Sequence, residues 1–507
     1  MLASAILIAA TLAGCATSPR LDGQAALELS ATDAVAAIHA GRLSATDYVN
    51  AALARAEARK DLNAIVSIDA EGARKAARAI DMKRSQGQSL PPLAGLPVVV
   101  KDNINTSDLP TTGGTLALAN NRPSANAPTV QKLLDAGAIV IAKSNLHELA
   151  FGITSTNATR FPADSGLNGG PVRNPYDKTL IPGGSSGGTA ASIAARIVPA
   201  GLGTDTGGST RVPAALTGIA GFRPSVGDGN SERRHHDPNA VVPISHTRDT
   251  VGPMARTVAD VALLDAAIHG EPTPTPLSLK GVRIGVPAAL WAGIADDAGP
   301  VLAAARARLA AAGAVLVDLD MNELLAMNAK ISFTIALHEP IADIPAYLNA
   351  SGSPIRTVKE LADKIASKDV QGAFGAIQGD VFGAQYAEAM KVQRPALQAY
   401  YAKTFADHRI EALLFPTTPS AAVAMDEANG SAKMMLNGVA VDTFGTMIRN
   451  TDPGSNAGIP GLSIPAGMTA AGLPLGLEID GPLGSDRKLL ALGMAIEKVL
   501  GPVAAPR

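Results

Sequence analysis

The chain of 507 residues has a single cysteine, Cys15, and only 3% of it is aromatic. One cysteine excludes an intrachain disulfide and any cysteine-rich zinc site. With so few aromatics the core must be aliphatic, and a hydrophobic content of 47% can supply it. Charge is also scarce, at 17% of residues, and nearly balanced, with a formal net charge of −2. No basic run is long enough to follow a phosphate backbone, and the cluster Arg233–His236 is too short to do so. Nucleic-acid binding therefore has no electrostatic support. There is no internal repeat, no low-complexity block and no cluster with metal-ligand spacing.

The apolar run at the start of the chain, MLASAILIAATLAGCA, is shorter than the ~20 residues a membrane-spanning helix needs. It suits the apolar region of a secretory signal. Leu12-Ala13-Gly14-Cys15 resembles a bacterial lipobox, which implies cleavage before Cys15 and acylation of its sulfur. No Lys or Arg precedes the run, a departure from the usual signal. The expected organisation is a signal peptide over 1–14, a lipidated Cys15 with a tether to residue 27, and one domain over 28–507. The protein would then be exported and held at a membrane, on the periplasmic side, by its anchor alone. A cytoplasmic protein with an apolar N terminus is the alternative.

Along the body, helices are expected at Ala31–His39, at Ala45 to about Lys60 behind a Ser44-x-x-Asp47 capping pattern, and at Thr129–Ala136. Further helices are expected at Gly188–Arg196, Ala255–His269, Pro300–Ala312 and Arg487–Leu500. Short β-branched runs predict strands at the valine run Val98–Val100 within Leu93–Lys101, and at Ala138–Ala142, Ile197–Leu202, Arg283–Val286 and Ala314–Asp318. Ala412–Pro416 and Gly461–Pro465 read as late strands rejoining the same sheet. Strands alternating with helices predict an α/β fold: a large mixed sheet with helices on both faces. Residues 319–409, rich in helical signals, would cover one edge.

The densest chemical signal is IPGGSSGGTAASIAARIVPAGLGTDTGGSTRVPAA, Ile181 to Ala215. Glycine is used where backbone must bend sharply or approach something closely. Gly184-Ser185-Ser186-Gly187-Gly188 fits the GxSxG nucleophile elbow, but Thr179–Gly183 is a poor strand to precede it. The downstream histidines His235, His236 and His246 read as loop or surface residues. Asp205-Thr206-Gly207-Gly208-Ser209 fits better: successive N–H groups in such a turn can converge on one anion. An acyl-transfer enzyme needs that for its tetrahedral intermediate. A serine ending the turn could attack the carbonyl held there. Lys101, after three valines, could be its base, since desolvation lowers an amine's pKa from ~10.4. Ser185 could relay the proton.

These segments, with Pro97–Asn103, Lys143–Glu148, Gly221–Pro224 and Phe415–Pro419, resemble the amidase signature family across residues 45–495. The resemblance implies that family's mixed-sheet fold and a Ser–cis-Ser–Lys triad. Lys101 would be the base, Ser185 the bridging serine on a cis peptide, and Ser209 the nucleophile. It also assigns the oxyanion hole to the N–H groups of Thr206, Gly207, Gly208 and Ser209. Ser186 would help hold Lys101, and Asp205 and Arg211 would pair behind the site. Thr210 departs from the pattern, which has an aliphatic residue there, and puts a hydroxyl beside the nucleophile.

The expected reaction is hydrolysis of a small-molecule carboxamide to carboxylate and ammonia through a seryl acyl-enzyme, with no cofactor and no metal. Residues 243–260 resemble the branch containing indoleacetamide and mandelamide hydrolases, which implies arylacetamide-like substrates; peptide amides are another option. The polar loop Asp228–Asn239 could shape the entrance. Two alternatives stand beside this reading: the amide-cleaving component of a glutamine-dependent tRNA amidotransferase, and a catalytically silent lipid-anchored binding protein.

Overall fold

The computed structural model describes residues 20–229 and 232–507, so the expected signal peptide and Cys15 lie outside the described residues. Three valines, Val98 to Val100, are fully buried in a strand covered on both faces. This strand lies among 11 described strands that build one mixed sheet. In chain order the first four are β1 (Ile65–Ile68), β2 (Pro97–Lys101), β3 (Ile139–Ser144) and β4 (Ala200–Asp205). Then come β5 (Ala220–Arg223), β6 (Thr250–Ala255), β7 (Arg283–Pro287), β8 (Val315–Leu319) and β9 (Ala412–Pro416). A hairpin outside the sheet supplies β10 (Lys433–Leu436) and β11 (Val439–Asp442); β12 (Gly461–Met468) and β13 (Pro474–Asp480) complete the sheet.

The spatial order is β1-β3-β2-β4-β6-β5-β12-β13-β9-β7-β8. β2 runs parallel to both β3 and β4, and β7 parallel to β8 and β9. The central strands β6, β5, β12 and β13 pair antiparallel. The architecture expected from the sequence is therefore the one observed, in a single domain.

Several boundaries differ from expectation. The tether does not reach residue 27: Gly23–Ala26 is already helical, and Ala26 and Leu27 are buried in the main core. β4 starts and ends three residues later than expected, because Arg196 adopts a positive φ of 61° and Pro199 follows the resulting turn. The helix expected from Ala255 begins after Thr257, whose side chain caps it by accepting from the Asp260 N–H. The residues before it form β6, a strand that its Gly252 and Pro253 hide from periodicity.

Among the described residues no helix is long and apolar enough to cross a membrane. Residues 324–408 fold into the expected helical cover, but besides packing on the sheet edge they roof a cavity that Ser209 lines. The cover is fixed to the sheet side by Glu148, a buried carboxylate that accepts from the backbone N–H groups of Ala366 (3.1 Å) and Ser367 (2.8 Å). Charged hydrogen bonds of this kind are worth roughly 1.5–3 kcal/mol each in protein stability. Glu148→Ala is accordingly expected to lower Tm by several degrees in a thermal melt, and an unchanged Tm would show that the cover is held by other contacts.

Candidate active site

The sheet brings Lys101 and the two serine-bearing turns together. Lys101 ends β2, with its side chain fully buried. β4 lies beside β2 in parallel register, Val100 opposite Leu202, so the end of β4 delivers Thr204 next to Lys101. The Lys101 Nζ donates to Ser185 Oγ and to Thr204 Oγ1, both at 2.7 Å. Asn103 Nδ2 donates to the same Thr204 hydroxyl at 3.1 Å. The peptide bond between Gly184 and Ser185 is cis, and Ser185 is fully buried.

Ser186 braces the backbone rather than the base. Its Oγ donates to the Thr204 carbonyl (3.1 Å) and accepts from the Thr204 N–H (3.2 Å). The expectation that Ser186 holds Lys101 is corrected accordingly: Thr204 holds it, and Ser186 fixes Thr204. The approach is close enough that a Cβ on Gly203 would lie 2.7 Å from Ser186 Oγ and 2.8 Å from Met254 Sδ, which is why β4 carries a glycine there. The Ser186 N–H in turn donates to the Ser209 carbonyl at 3.2 Å, tying the two serine turns together one residue beyond Ser185.

The turn Thr206–Ser209 is shaped by a buried charge network. Arg211 binds Asp205 through both ends of its guanidinium, Nε to Oδ2 and Nη2 to Oδ1, each at 3.0 Å. Arg223 adds a second cation, 3.2 Å from Asp205 Oδ1. Burial pushes the Asp205 carboxyl up, but the two arginines outweigh it and hold it well below the usual carboxylate range. The ionised Asp205 accepts from the N–H of Gly208 (2.8 Å) and of Thr210 (3.1 Å). This corrects the expected oxyanion hole, because the Gly208 N–H is already engaged. Among the described residues, Thr206, Gly207 and Ser209 keep N–H groups without an acceptor, and all three line the cavity. Gly208 has φ +139°, and a Cβ there would collide with the Thr451 side chain, so the turn needs glycine at this point. Thr210 is also corrected: its hydroxyl points into the protein, to Asp205 Oδ2 (3.0 Å) and the Phe222 carbonyl (3.2 Å), and does not line the cavity.

Ser209 opens onto a cavity of about 380 Å³ with Thr206 and Gly207 in its wall. The remaining walls are mostly apolar: Phe151, Ile153 and Ile244 on the sheet side, Phe333 and Leu337 from the cover, and Phe444 beyond β11. Arg248 forms part of the floor, donating to the Thr206 carbonyl (3.1 Å) and ion-paired with Asp452. Asp249 accepts from Thr206 Oγ1 at 2.6 Å. The polar loop 228–239 stays away from this cavity among its described residues; Arg233 and His235 fasten it to the Asp249 and Val251 carbonyls. His235 is thus a buried structural residue and not a surface one, while His246 is exposed and paired with Asp343. Sequence reasoning missed Thr204, Arg223 and Arg248 as site residues, although Thr204 and Arg223 lie inside the family's motifs.

Desolvation lowers the Lys101 pKa from 10.5 to about 7, against the opposing pull of the Asp205 and Asp249 charges. Above 10.5 the amine is neutral in both folded and unfolded chains; between 10.5 and 7 only the unfolded chain binds the proton; below 7 both do. Native stability is therefore reduced progressively as pH falls through that window. Lys101→Met is expected to gain stability relative to the parent as pH drops from 10.5 to 7, read as the difference in denaturant midpoint, and a pH-independent difference would contradict the buried neutral amine.

Residues 47–490 match the family model described as Amidase. The chain is 41% identical to an indoleacetamide hydrolase of Agrobacterium vitis, covering 90% of this chain and 94% of that one. It is 38% identical to a mandelamide hydrolase of Pseudomonas putida, covering 94% and 93%. Among solved structures, the native peptide amidase of Stenotrophomonas maltophilia superposes with a TM-score of 0.77 at 29% identity, over 95% of this chain and 98% of that one.

Proposed function

The chain belongs to the amidase family, and on that premise we propose that it hydrolyses arylacetamide-like primary amides through Ser209, Ser185 and Lys101. It is an amidase; the substrate class and the residue roles are our reading. The observation that carries the roles is the 2.7 Å contact between Lys101 Nζ and Ser185 Oγ, buried behind the cavity that Ser209 lines. An amine with a pKa of about 7 is substantially neutral at physiological pH and can accept a proton.

In the proposed reaction the Ser209 hydroxyl attacks the amide carbon. Its proton passes to Ser185 Oγ as the Ser185 proton passes to Lys101 Nζ. The developing oxyanion is held by the N–H groups of Thr206, Gly207 and Ser209, preorganised before substrate arrives. The proton then returns from Lys101 through Ser185 to the leaving nitrogen, the C–N bond breaks, and ammonia departs. Water, activated along the same route, attacks the ester carbonyl, releases the carboxylic acid and restores Ser209. The aromatic and aliphatic walls of the cavity favour an aryl acyl group, and similarity to an indoleacetamide hydrolase and a mandelamide hydrolase supports that choice over a tRNA-linked substrate. Export and acylation at Cys15 extend the reading to a membrane-anchored enzyme, which loss of detergent-phase partitioning in Cys15→Ser would test.

Ser209→Ala is expected to abolish ammonia release from phenylacetamide and labelling by a fluorophosphonate. Lys101→Ala is expected to reduce kcat by several orders of magnitude. The pH profile of kcat/KM should rise with an apparent pKa of about 7, as Lys101 loses its proton. Near-parental turnover in Lys101→Ala, or a profile flat from about pH 5 to about pH 9, would remove Lys101 as the base.

A further inference from the structure

We propose that Asp369 makes the enzyme selective for amides whose acyl group carries an N–H donor, a ring N–H or an ammonium group. This rests on the arylacetamide reading and adds to it a residue that lies outside the amide-cleaving machinery. Asp369 stands in the first turn of the cover helix Lys368–Gln378. It lines the same cavity as Ser209, together with Gly372, Ala373 and Ala376. That spacing of three and four residues places all four on one helix face. The face is a smooth track of small side chains, which an aromatic ring can lie against, headed by a single carboxylate.

The carboxylate is only partly occupied. Its Oδ2 lies 2.8 Å from Nε2 of the buried His147, and the side chain is 30% exposed. Its Oδ1 is enclosed and has no hydrogen-bond partner among the described residues, so the exposed surface of the side chain lies on its remaining atoms, Oδ2 among them. Burial pushes the Asp369 carboxyl up, but His147 outweighs this and keeps it below its ordinary range, so the group is an anion at neutral pH. An ionised carboxylate has about four acceptor sites, and in a largely apolar cavity each one left empty is costly. A substrate N–H directed at Asp369 gains a charge-assisted hydrogen bond there, whereas an apolar group displaces water and returns nothing.

The other charges of the cavity point the same way. Asp442 caps the helix Thr443–Ile448 by accepting from the Gly445 N–H. Arg248, the one cation among the described lining residues, is committed to Asp452 and to backbone carbonyls. A carboxylate on the acyl group would meet like charge and no uncommitted cation among those residues, which is discrimination by exclusion.

The test compares matched amides on the full-length enzyme. One pair is indole-3-acetamide with 1-methylindole-3-acetamide, which lacks the ring N–H. A second is 3-(aminomethyl)phenylacetamide with 3-methylphenylacetamide. The donor-bearing member is expected to have a kcat/KM higher by roughly tenfold or more in at least one pair, the scale of one charged hydrogen bond. The pair that responds identifies the donor as a ring N–H or an ammonium. In Asp369→Leu that ratio should fall to near one; in Asp369→Asn, which keeps an acceptor but no charge, an ammonium preference should be lost more completely than a ring N–H preference. Ratios near one for both pairs in the parent would overturn the proposal, as would a ratio that survives in Asp369→Leu or, should that variant not fold, an ammonium preference undiminished in Asp369→Asn. Hydrolysis of 3-methylphenylacetamide without donor preference would leave the arylacetamide reading standing; no hydrolysis of any of the four would remove that reading and this one with it.

Discussion

A buried amine with only hydroxyl partners is the constraint on which the site depends. Two lysines lie fully buried on neighbouring strands, and they differ in their surroundings. Lys143, on β3, has a carboxylate 3.1 Å away in Asp102 and donates also to the Ile104 carbonyl and to the Thr111 hydroxyl. Lys101, on β2, donates only to Ser185 and Thr204. A charge with a counterion and carbonyls can remain a charge in the interior. Burial lowers the pKa of both amines; at Lys143 the Asp102 carboxylate opposes it from 3.1 Å, whereas Lys101, whose direct partners are neutral hydroxyls, is brought to about 7.

The charges excluded from Lys101 are gathered one strand position further on. Asp205 closes β4, faces two arginines, and directs its oxygens also to the N–H groups of Gly208 and Thr210. The ion pairs thus set the path of the Thr206–Ser209 turn from beneath, leaving N–H groups on its upper side. Removing one partner from such a network leaves an unpaired charge in the interior, which is far more disruptive than losing a surface pair. Asp205 and Lys101 are adjacent but differently wired: Asp205 reaches Lys101 only through space, and its pull is weaker than desolvation.

Much of this was legible in the sequence because the relevant contacts are short-range or lie in contiguous motifs. The valine run ending in Lys101, the glycine-dense serine turns and the Asp205–Arg211 pair could all be read from residue type and spacing. What escaped depends on chain segments far apart in sequence. Thr204 stands in a recognisable motif, but its partnership with Lys101 follows from the parallel register of β2 and β4. Arg248 meets Asp452 across 204 positions, and periodicity carries no trace of it. The strands β5, β6 and β13 contain glycine or proline and pair in the middle of the sheet, where tertiary packing overrides local preference. The assignment of the Gly208 N–H to an oxyanion failed for a different reason: sequence shows that a donor exists, not which acceptor has already claimed it.

His147 and Glu148 are consecutive residues, yet both reach across to the same short stretch of the cover, residues 366–369. The sheet side of the cavity and its helical cover are therefore riveted here by two neighbouring residues, beside further ties such as Glu339 to Ser245 and Tyr347 to Asn105. Around that joint the cover helices can change the side chains they turn to the cavity, and with them the diet of the enzyme, while the hydrogen bonds of Lys101 to Ser185 and Thr204 on the sheet side stay as they are. A lineage built this way can diversify its chemistry of recognition without reinventing its chemistry of cleavage.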